Sequence, residues 1–424
     1  MTAPRTARAR RRRHAWPLAL ALALVALVAS GCATSSAGSS TNVQLYSDKA
    51  AWKPFYQQMS SLAHKQIGTT ITPNGYADEP TYQAFIKSSL QTPDQPDLFT
   101  WATGPLLSQL ATKGQLSNTS SLWQQAIANG DLPKSLEQYY TVNGQQYCIP
   151  ENVSYWVMFY NKHIFQRDGL TVPTTWQQFM ADAATLKQHG TVPFYETNVL
   201  FSFVWFQTLL AGSNPTLYAQ LTAGKASYTD PGVVKVMQLW RNMIDKGYMS
   251  DPGIKTDPAT MLKSGQVAMV PDGTWFDTSM VQAGMKPGTD YGMFVIPAVN
   301  PALTSTPVAL ETGPLCIPSK PTNKQEDLKF ASWWLKPGAQ AAWADSRDDV
   351  SANPKVQIKD QELNTLTHEV VTSKYQLVNR YFDAVSPTVL TAALSAFSGF
   401  MANPNSYQSQ LASIQQAASS GAGS

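Results

Sequence analysis

The chain has 424 residues, more than one hydrophobic core usually spans, so two domains or lobes are expected. Its 31 Lys and Arg against 28 Asp and Glu give a formal charge of +3, but Arg5, Arg8, Arg10 and Arg11 to Arg13 all precede Cys32, and loss of that leader leaves 25 basic residues against 28 acids. A mildly acidic chain with no basic stripe argues against nucleic acid as a partner.

The leader comes first. Its arginines stand without an acid ahead of an unbroken apolar run from Ala15 to Ala29. That run is shorter than the roughly 20 residues a membrane-spanning helix needs and reads as an export signal. Leu27-Val28-Ala29-Ser30-Gly31-Cys32 resembles the bacterial lipobox, in which the cysteine is lipidated and becomes the first residue after cleavage. The expectation is a signal peptide over 1–31, a lipid anchor on Cys32 at the outer face of the cell membrane, and a Gly/Ser-rich tether over 32–41. An ordinary secretory signal with an incidental cysteine is the plainer alternative.

Beyond the leader, strand-like and helix-like segments alternate, which predicts an α/β fold with largely parallel sheets. Val43 to Tyr46 reads as the first strand and Trp52 to Leu62 as the helix after it, with Phe55, Met59 and Leu62 on one face. In TTWQQFMADAATLKQHG, Thr174 or Thr175 can cap a helix whose stripe is Trp176, Phe179, Met180, Ala183 and Leu186 and whose end is Gly190. Val267 to Val270 and Met293 to Ile296 read as buried strands, the first ending in the turn signal Pro271-Asp272-Gly273. From Asn379 onward the periodicity is helical, through Val389, Leu390, Ala393 and Phe397 and then Leu411 and Ile414; Ala417 to Ser424 reads as disordered, 419–424 being a tail.

Catalytic text is missing: there is no H-E-x-x-H, G-x-S-x-G, Walker loop or C-x-x-C, and His64, His163, His189 and His368 lack the spacing of a metal site on one helix. No cofactor or metal is expected. Aromatic residues are plentiful instead, with 12 Trp, 17 Tyr and 16 Phe. Flat rings next to polar turn residues suit sugars, whose C–H faces stack while their hydroxyls hydrogen-bond. The spacing of Phe330, Trp333 and Trp334 fits helix packing rather than ligand contact.

Tyr147 to Phe179 then carries a recognisable pattern: Tyr147, Ile149, Pro150, Tyr160-Asn161-Lys162, Phe165, Gly169-Leu170, Pro173, Thr175 and Trp176. Pro96-Asp97-Leu98-Phe99, Gly265 to Met269 with Gly273-Thr274-Trp275, Gly292 to Pro297, and Ile317-Pro318-Ser319-Lys320 follow in the same order. The chain from 43 to 418 resembles the bacterial extracellular solute-binding proteins, the sugar-binding, maltose-binding-protein-like family of ABC importers. It departs from that pattern at Cys148 and in Glu311-Thr312-Gly313-Pro314-Leu315-Cys316.

The resemblance implies a periplasmic-binding-protein-like α/β fold: two lobes joined by a multi-strand hinge, 42–148 with 317–370 and 149–316 with 371–418, closing on a ligand between them. It implies a monomer that binds a carbohydrate, a di- or oligosaccharide, delivers it to ABC permease subunits, touches the membrane only through its lipid anchor and performs no catalysis. A secreted carbohydrate-active enzyme and a binder of a non-sugar solute remain as alternatives. Residues placed by likeness just after strands are the expected ligand contacts: Trp101 and Trp275 as stacking rings, Tyr381 and Phe382, and the polar Tyr46, Ser47, Asp78, Glu79, Asn152, Asn198 and Glu311. Cys148-Ile149-Pro150 and Cys316-Ile317-Pro318 match places where the family's chain crosses between lobes, so a Cys148–Cys316 disulfide is expected.

Overall fold

The computed structural model describes residues 41–199, 201–372 and 375–421. The expected signal peptide over 1–31, Cys32 and most of the expected tether lie outside them. Eleven strands are present among the described residues: β1 Asn42–Ser47, β2 Thr70–Gly75, β3 Leu98–Thr100, β4 Thr141–Val142, β5 Gln145–Gln146, β6 Ile149–Asn161, β7 Val192–Phe194, β8 Val267–Gly273, β9 Tyr291–Phe294, β10 Thr306–Cys316 and β11 Tyr375–Asn379. Apart from the β4–β5 hairpin they form one sheet in the order β2-β1-β3-β10-β6-β8-β7, with β11 on β10 and β9 on β6.

The sheet is mixed, not largely parallel as the alternation of elements suggested. The pairs β1–β2, β1–β3, β7–β8 and β10–β11 are parallel, whereas β10 pairs antiparallel with β3 and β6, and β6 antiparallel with β8 and β9. Helical crossovers such as Lys53–Ile67 and Glu79–Ser89 make the outer strands parallel. The two long central strands, β6 and β10, run against each other and carry the sheet from one half to the other.

Side chains alternate across these central strands, as a strand's period of two requires. Val153, Tyr155, Val157 and Phe159 enter one hydrophobic cluster, while the intervening Trp156, Met158 and Tyr160 enter a second. The first cluster holds Trp334 and Trp343, both almost fully buried, with Tyr56 stacked on Trp343 at 5.2 Å between centroids. Each such ring removed from water contributes about 1.5–3 kcal/mol. The second packs Trp205, Trp240, Phe397 and Phe400.

Local signals were mostly read correctly, with shifts at the ends. Thr175 caps helix Trp176–Gln188 by accepting from the Gln178 amide at 3.2 Å, and Phe179, Ala183 and Leu186 are buried as the stripe required. The first helix extends further than expected, over Lys53–Ile67, because nothing interrupts it before Gly68 adopts the left-handed conformation. Pro271-Asp272-Gly273 is not a turn: these residues continue β8 against β6, with Asp272 opposite Val157. The second apolar run pairs as Tyr291–Phe294, slightly earlier than expected. The terminal helix Tyr407–Gly421 takes in residues expected to be disordered, held by Leu411 and Ile414 in the second cluster.

The cysteines meet where the two central strands begin and end. Cys148 and Cys316 form a disulfide with Cα atoms 4.1 Å apart, closing a span of 168 residues. Cys148 has φ of +61°, in the left-handed region that non-glycine residues seldom occupy. Its carbonyl is fixed there by Trp123 Nε1 and Thr119 Oγ1, which donate at 2.9 and 2.8 Å.

Candidate ligand-binding site

Four strands finish around one cavity of about 230 Å³. Asp48 and Lys49 follow β1, Trp101 and Ala102 follow β3, Trp275 follows β8, and Arg380, Phe382 and Asp383 follow β11. Asn152 of β6 and Glu311 to Gly313 of β10 form its floor; Glu79, Tyr82 and Gln83 of helix Glu79–Ser89, with Phe201, complete the wall. Strand carboxyl ends are where an open α/β sheet leaves room for a ligand.

Trp101 is 6% exposed, edge-on to Phe99 at 6.1 Å, and its indole Nε1 has no hydrogen-bond partner. Trp275 is held differently. Its Nε1 donates to Glu311 Oε2 at 3.2 Å, and the same oxygen accepts from Trp156 Nε1 at 3.1 Å and faces Arg380 Nη1 at 2.8 Å. Trp156 packs edge-on to Trp275 at 6.2 Å, and Phe201 lies 5.7 Å from Trp275. This close packing depends on Gly273, where a Cβ would stand 2.3 Å from Trp275 Nε1. Thr274 anchors the turn: its Oγ1 donates to Asp349 Oδ1 at 2.7 Å and its amide donates to the Tyr155 carbonyl.

The floor is shaped by an irregularity in the β6–β10 ladder. Gly313 pairs with Asn152 and Pro314 with Pro150, so Glu151 is an extra residue, and such bulges re-aim side chains. Asn152 Oδ1 is buried without a partner, and a Cβ on Gly313 would meet it at 2.6 Å. Glu151 is fully buried, accepts from the Tyr56 hydroxyl, and lies 3.6 Å from Lys49 Nζ.

Charges in the cavity are tightly paired. Lys49 Nζ lies 2.9 Å from Asp48 Oδ1, and Thr100 Oγ1 donates to the same carboxylate at 2.7 Å. Burial pushes Asp48 up, but Lys49 and these hydrogen bonds outweigh it and hold the carboxyl below its usual range. Burial disfavours the Lys49 ammonium, yet Asp48 and Glu151 together keep it firmly charged. Arg380 grips Asp383 through two nitrogens at 2.8 and 3.1 Å and stays charged against its own burial.

Of the residues expected to contact ligand, Glu79, Trp101, Asn152, Trp275, Glu311 and Phe382 line the cavity. Five lie off its wall. Tyr46 packs its ring on Phe85 at 5.0 Å; Ser47 is buried beside the Tyr56 hydroxyl at 3.2 Å. Asp78 caps its helix by accepting from the Thr81 amide at 2.9 Å. Asn198 is in a loop, its amide donating to the Pro252 carbonyl at 3.1 Å. Tyr381 points into the second core, its hydroxyl 2.6 Å from that of Tyr228, which leaves Phe382 for the cavity.

Sequence reasoning missed Asp48, Lys49, Tyr82, Gln83, Phe201, Thr312, Arg380 and Asp383. Asp48 and Lys49 stand just beyond Ser47, where β1 ends one residue later than the expected Tyr46. Arg380 and Asp383 flank the expected Tyr381 and Phe382 at the i, i+3 spacing of a helical ion pair.

The sequence model of bacterial extracellular solute-binding proteins matches residues 57–368. An uncharacterized ABC transporter extracellular-binding protein of Pyrococcus horikoshii is 23% identical over 308 residues, 68% of each chain. Chains of Brucella abortus and Brucella suis described only as binding proteins are 26% identical over 172 residues, and this chain spans about two fifths (39%) of their length. The galactopyranose receptor AcbH superposes with a TM-score of 0.76 at 23% identity, covering 89% of this chain and 98% of that one. RafE in complex with raffinose gives 0.69 at 18% identity, covering 88% and 98%. At these identities the superpositions show the fold alone, the α/β fold of periplasmic solute-binding proteins. With the family's sequence model spanning most of its length, the chain belongs to the bacterial extracellular solute-binding proteins.

Proposed function

We propose that this protein is the substrate-binding component of an ABC importer, anchored through lipidated Cys32, and that it holds a carbohydrate noncovalently in the cavity between Trp101 and Trp275. The carrying observation is that cavity itself: two indole rings flank it, and Trp101 Nε1 and Asn152 Oδ1 are buried in its wall without partners. Buried polar groups seldom stay unpaired, so a hydroxylated ligand that supplies both a donor and an acceptor fits them. AcbH and RafE, named for galactopyranose and raffinose, favour a sugar on the same fold.

The cavity volume of about 230 Å³ is large enough for a ligand rather than a single bound water. It encloses one end of a di- or oligosaccharide, and further rings reach the mouth. Lobes of 42–148 with 317–370 and 149–316 with 371–418 would close on that ligand, because a molecule touching both favours the closed form. The closed form is what a permease would receive, with the protein acting as a monomer. Titration calorimetry with mono- and oligosaccharides tests this reading: saturable binding with no new reducing ends supports it, and release of reducing ends supports a carbohydrate-active enzyme instead.

A further inference from the structure

The charge lining the cavity is unbalanced. Asp48, Glu79, Glu311 and Asp383 face it against Lys49 and Arg380, four acids to two cations. Both cations are already committed to the protein's own carboxylates: Lys49 to Asp48 at 2.9 Å and Glu151 at 3.6 Å, Arg380 to Glu311 at 2.8 Å and Asp383 at 2.8 Å. Neither is left over for an anionic group on a ligand.

Glu79 is the acid left without a partner cation among the described residues. Its Oε1 accepts from Gln83 Nε2 at 3.0 Å, and no lysine or arginine among the described residues pairs with it. Desolvation beside the cavity is the main cause raising its pKa, with Asp48 and Asp383 adding to the rise and Gln83 and Lys49 opposing it. The buried acceptor inventory points the same way. Asn152 Oδ1 lines the cavity as a buried acceptor without a partner. An ammonium donates three hydrogen bonds and carries a positive charge, so it suits the acidic side of this wall, while the hydroxyls of the same sugar remain to accept from Trp101 Nε1.

Resting on the sugar-binding reading above, we propose that this cavity selects a saccharide carrying a protonated amino group over the matching neutral sugar, and rejects the matching acid. The preference comes from the surplus of carboxylates over cations on the wall, with Glu79 as the principal partner of the amine. A uronate or sugar phosphate meets like charge with no free cation to offset it.

Titration calorimetry of the whole protein at neutral pH tests this with matched sets: glucose and galactose, their 2-amino and 6-carboxyl counterparts, and short chitin oligomers beside their de-N-acetylated forms. The amine of a bound set is expected to bind about tenfold tighter than its neutral partner, and the acid about 100-fold weaker. In the Glu79→Gln variant the amine-to-neutral ratio falls toward one; Glu79 is exposed, and a thermal melt checks that the variant is folded. Equal or tighter binding of the neutral member overturns the amine preference while leaving the sugar reading intact, and an unchanged ratio in Glu79→Gln overturns the role of that residue. Binding by no member overturns the sugar reading and this inference with it.

Discussion

Glu311 joins three donors on a single oxygen, the indoles of Trp156 and Trp275 and the guanidinium of Arg380, so the Trp275 ring is fixed before any ligand arrives. A ring already held in place loses little rotamer freedom on binding, which favours affinity. Trp275→Ala is expected to weaken sugar binding by about 1–3 kcal/mol, roughly 10- to 100-fold by calorimetry, and to lower the melting temperature as well, because the ring packs against both hydrophobic clusters; a thermal melt checks that the variant is folded at the titration temperature. Gly273→Ala should act on the same ring from beneath, since the added Cβ would stand 2.3 Å from its nitrogen. An affinity loss of about tenfold or more is expected there; parental affinity in the alanine variant would show that the ring does not need this approach.

Asp277 offers a second test at this scale. It is 1% exposed and accepts from the Tyr291 hydroxyl; burial pushes its pKa up to about 8, although that hydrogen bond opposes the rise. An acid whose folded pKa exceeds its unfolded value binds its proton more tightly when folded. Its contribution to stability is therefore complete below the ordinary carboxylate range and is lost as pH climbs toward about 8. Glu196 and Asp327, also pushed to about 8 mainly by burial, add to the same slope. Asp277→Asn mimics the protonated form, so its denaturation free energy should fall less between pH 5 and pH 8 than that of the parent. Identical slopes in chemical denaturation would contradict this reading of Asp277.

At the scale of elements, the disulfide ties the start of β6 to the end of β10 across 168 residues of chain. Loop-closure entropy for so long a span amounts to about 5 kcal/mol at most. Reduction, or paired Cys148→Ser and Cys316→Ser changes, should lower the unfolding free energy by a few kcal/mol, measured by denaturant titration; no change on reduction would show that the bond does not constrain the unfolded chain. These strands also show what the sequence makes legible. Helix Trp176–Gln188 was read from its cap and stripe because both are local signals. The antiparallel pairing of β10 with β6 was not, because register between residues as far apart in the chain as Leu315 and Ile149 leaves no periodic trace. Pro271-Asp272-Gly273 carried a turn's composition, yet pairing with Val157 and Trp156 drew it into β8. The bulge at Glu151, which aims Asn152 at the cavity, likewise arises from pairing alone.

For the whole molecule, the cavity is assembled from the ends of β1, β3, β8 and β11, elements spread from residue 42 to residue 383. That dispersal explains why six of the expected contacts reached the cavity while five stopped short: strand ends locate a site, but one residue of error turns a side chain from cavity to core, as Tyr381 and Phe382 show. A ligand bound across so many elements should stabilise the fold as a unit. At about 100 times its dissociation constant it adds roughly 2.7 kcal/mol, visible as a rise in melting temperature. Calorimetric titration of an oligosaccharide panel into the parent protein and into Trp101→Ala with Trp275→Ala brings these scales together. Saturable one-to-one binding by the parent, lost in the doubly substituted protein with no sugar cleaved, is the expected result; equal binding by both proteins would place the ligand elsewhere and contradict a sugar site between the two rings.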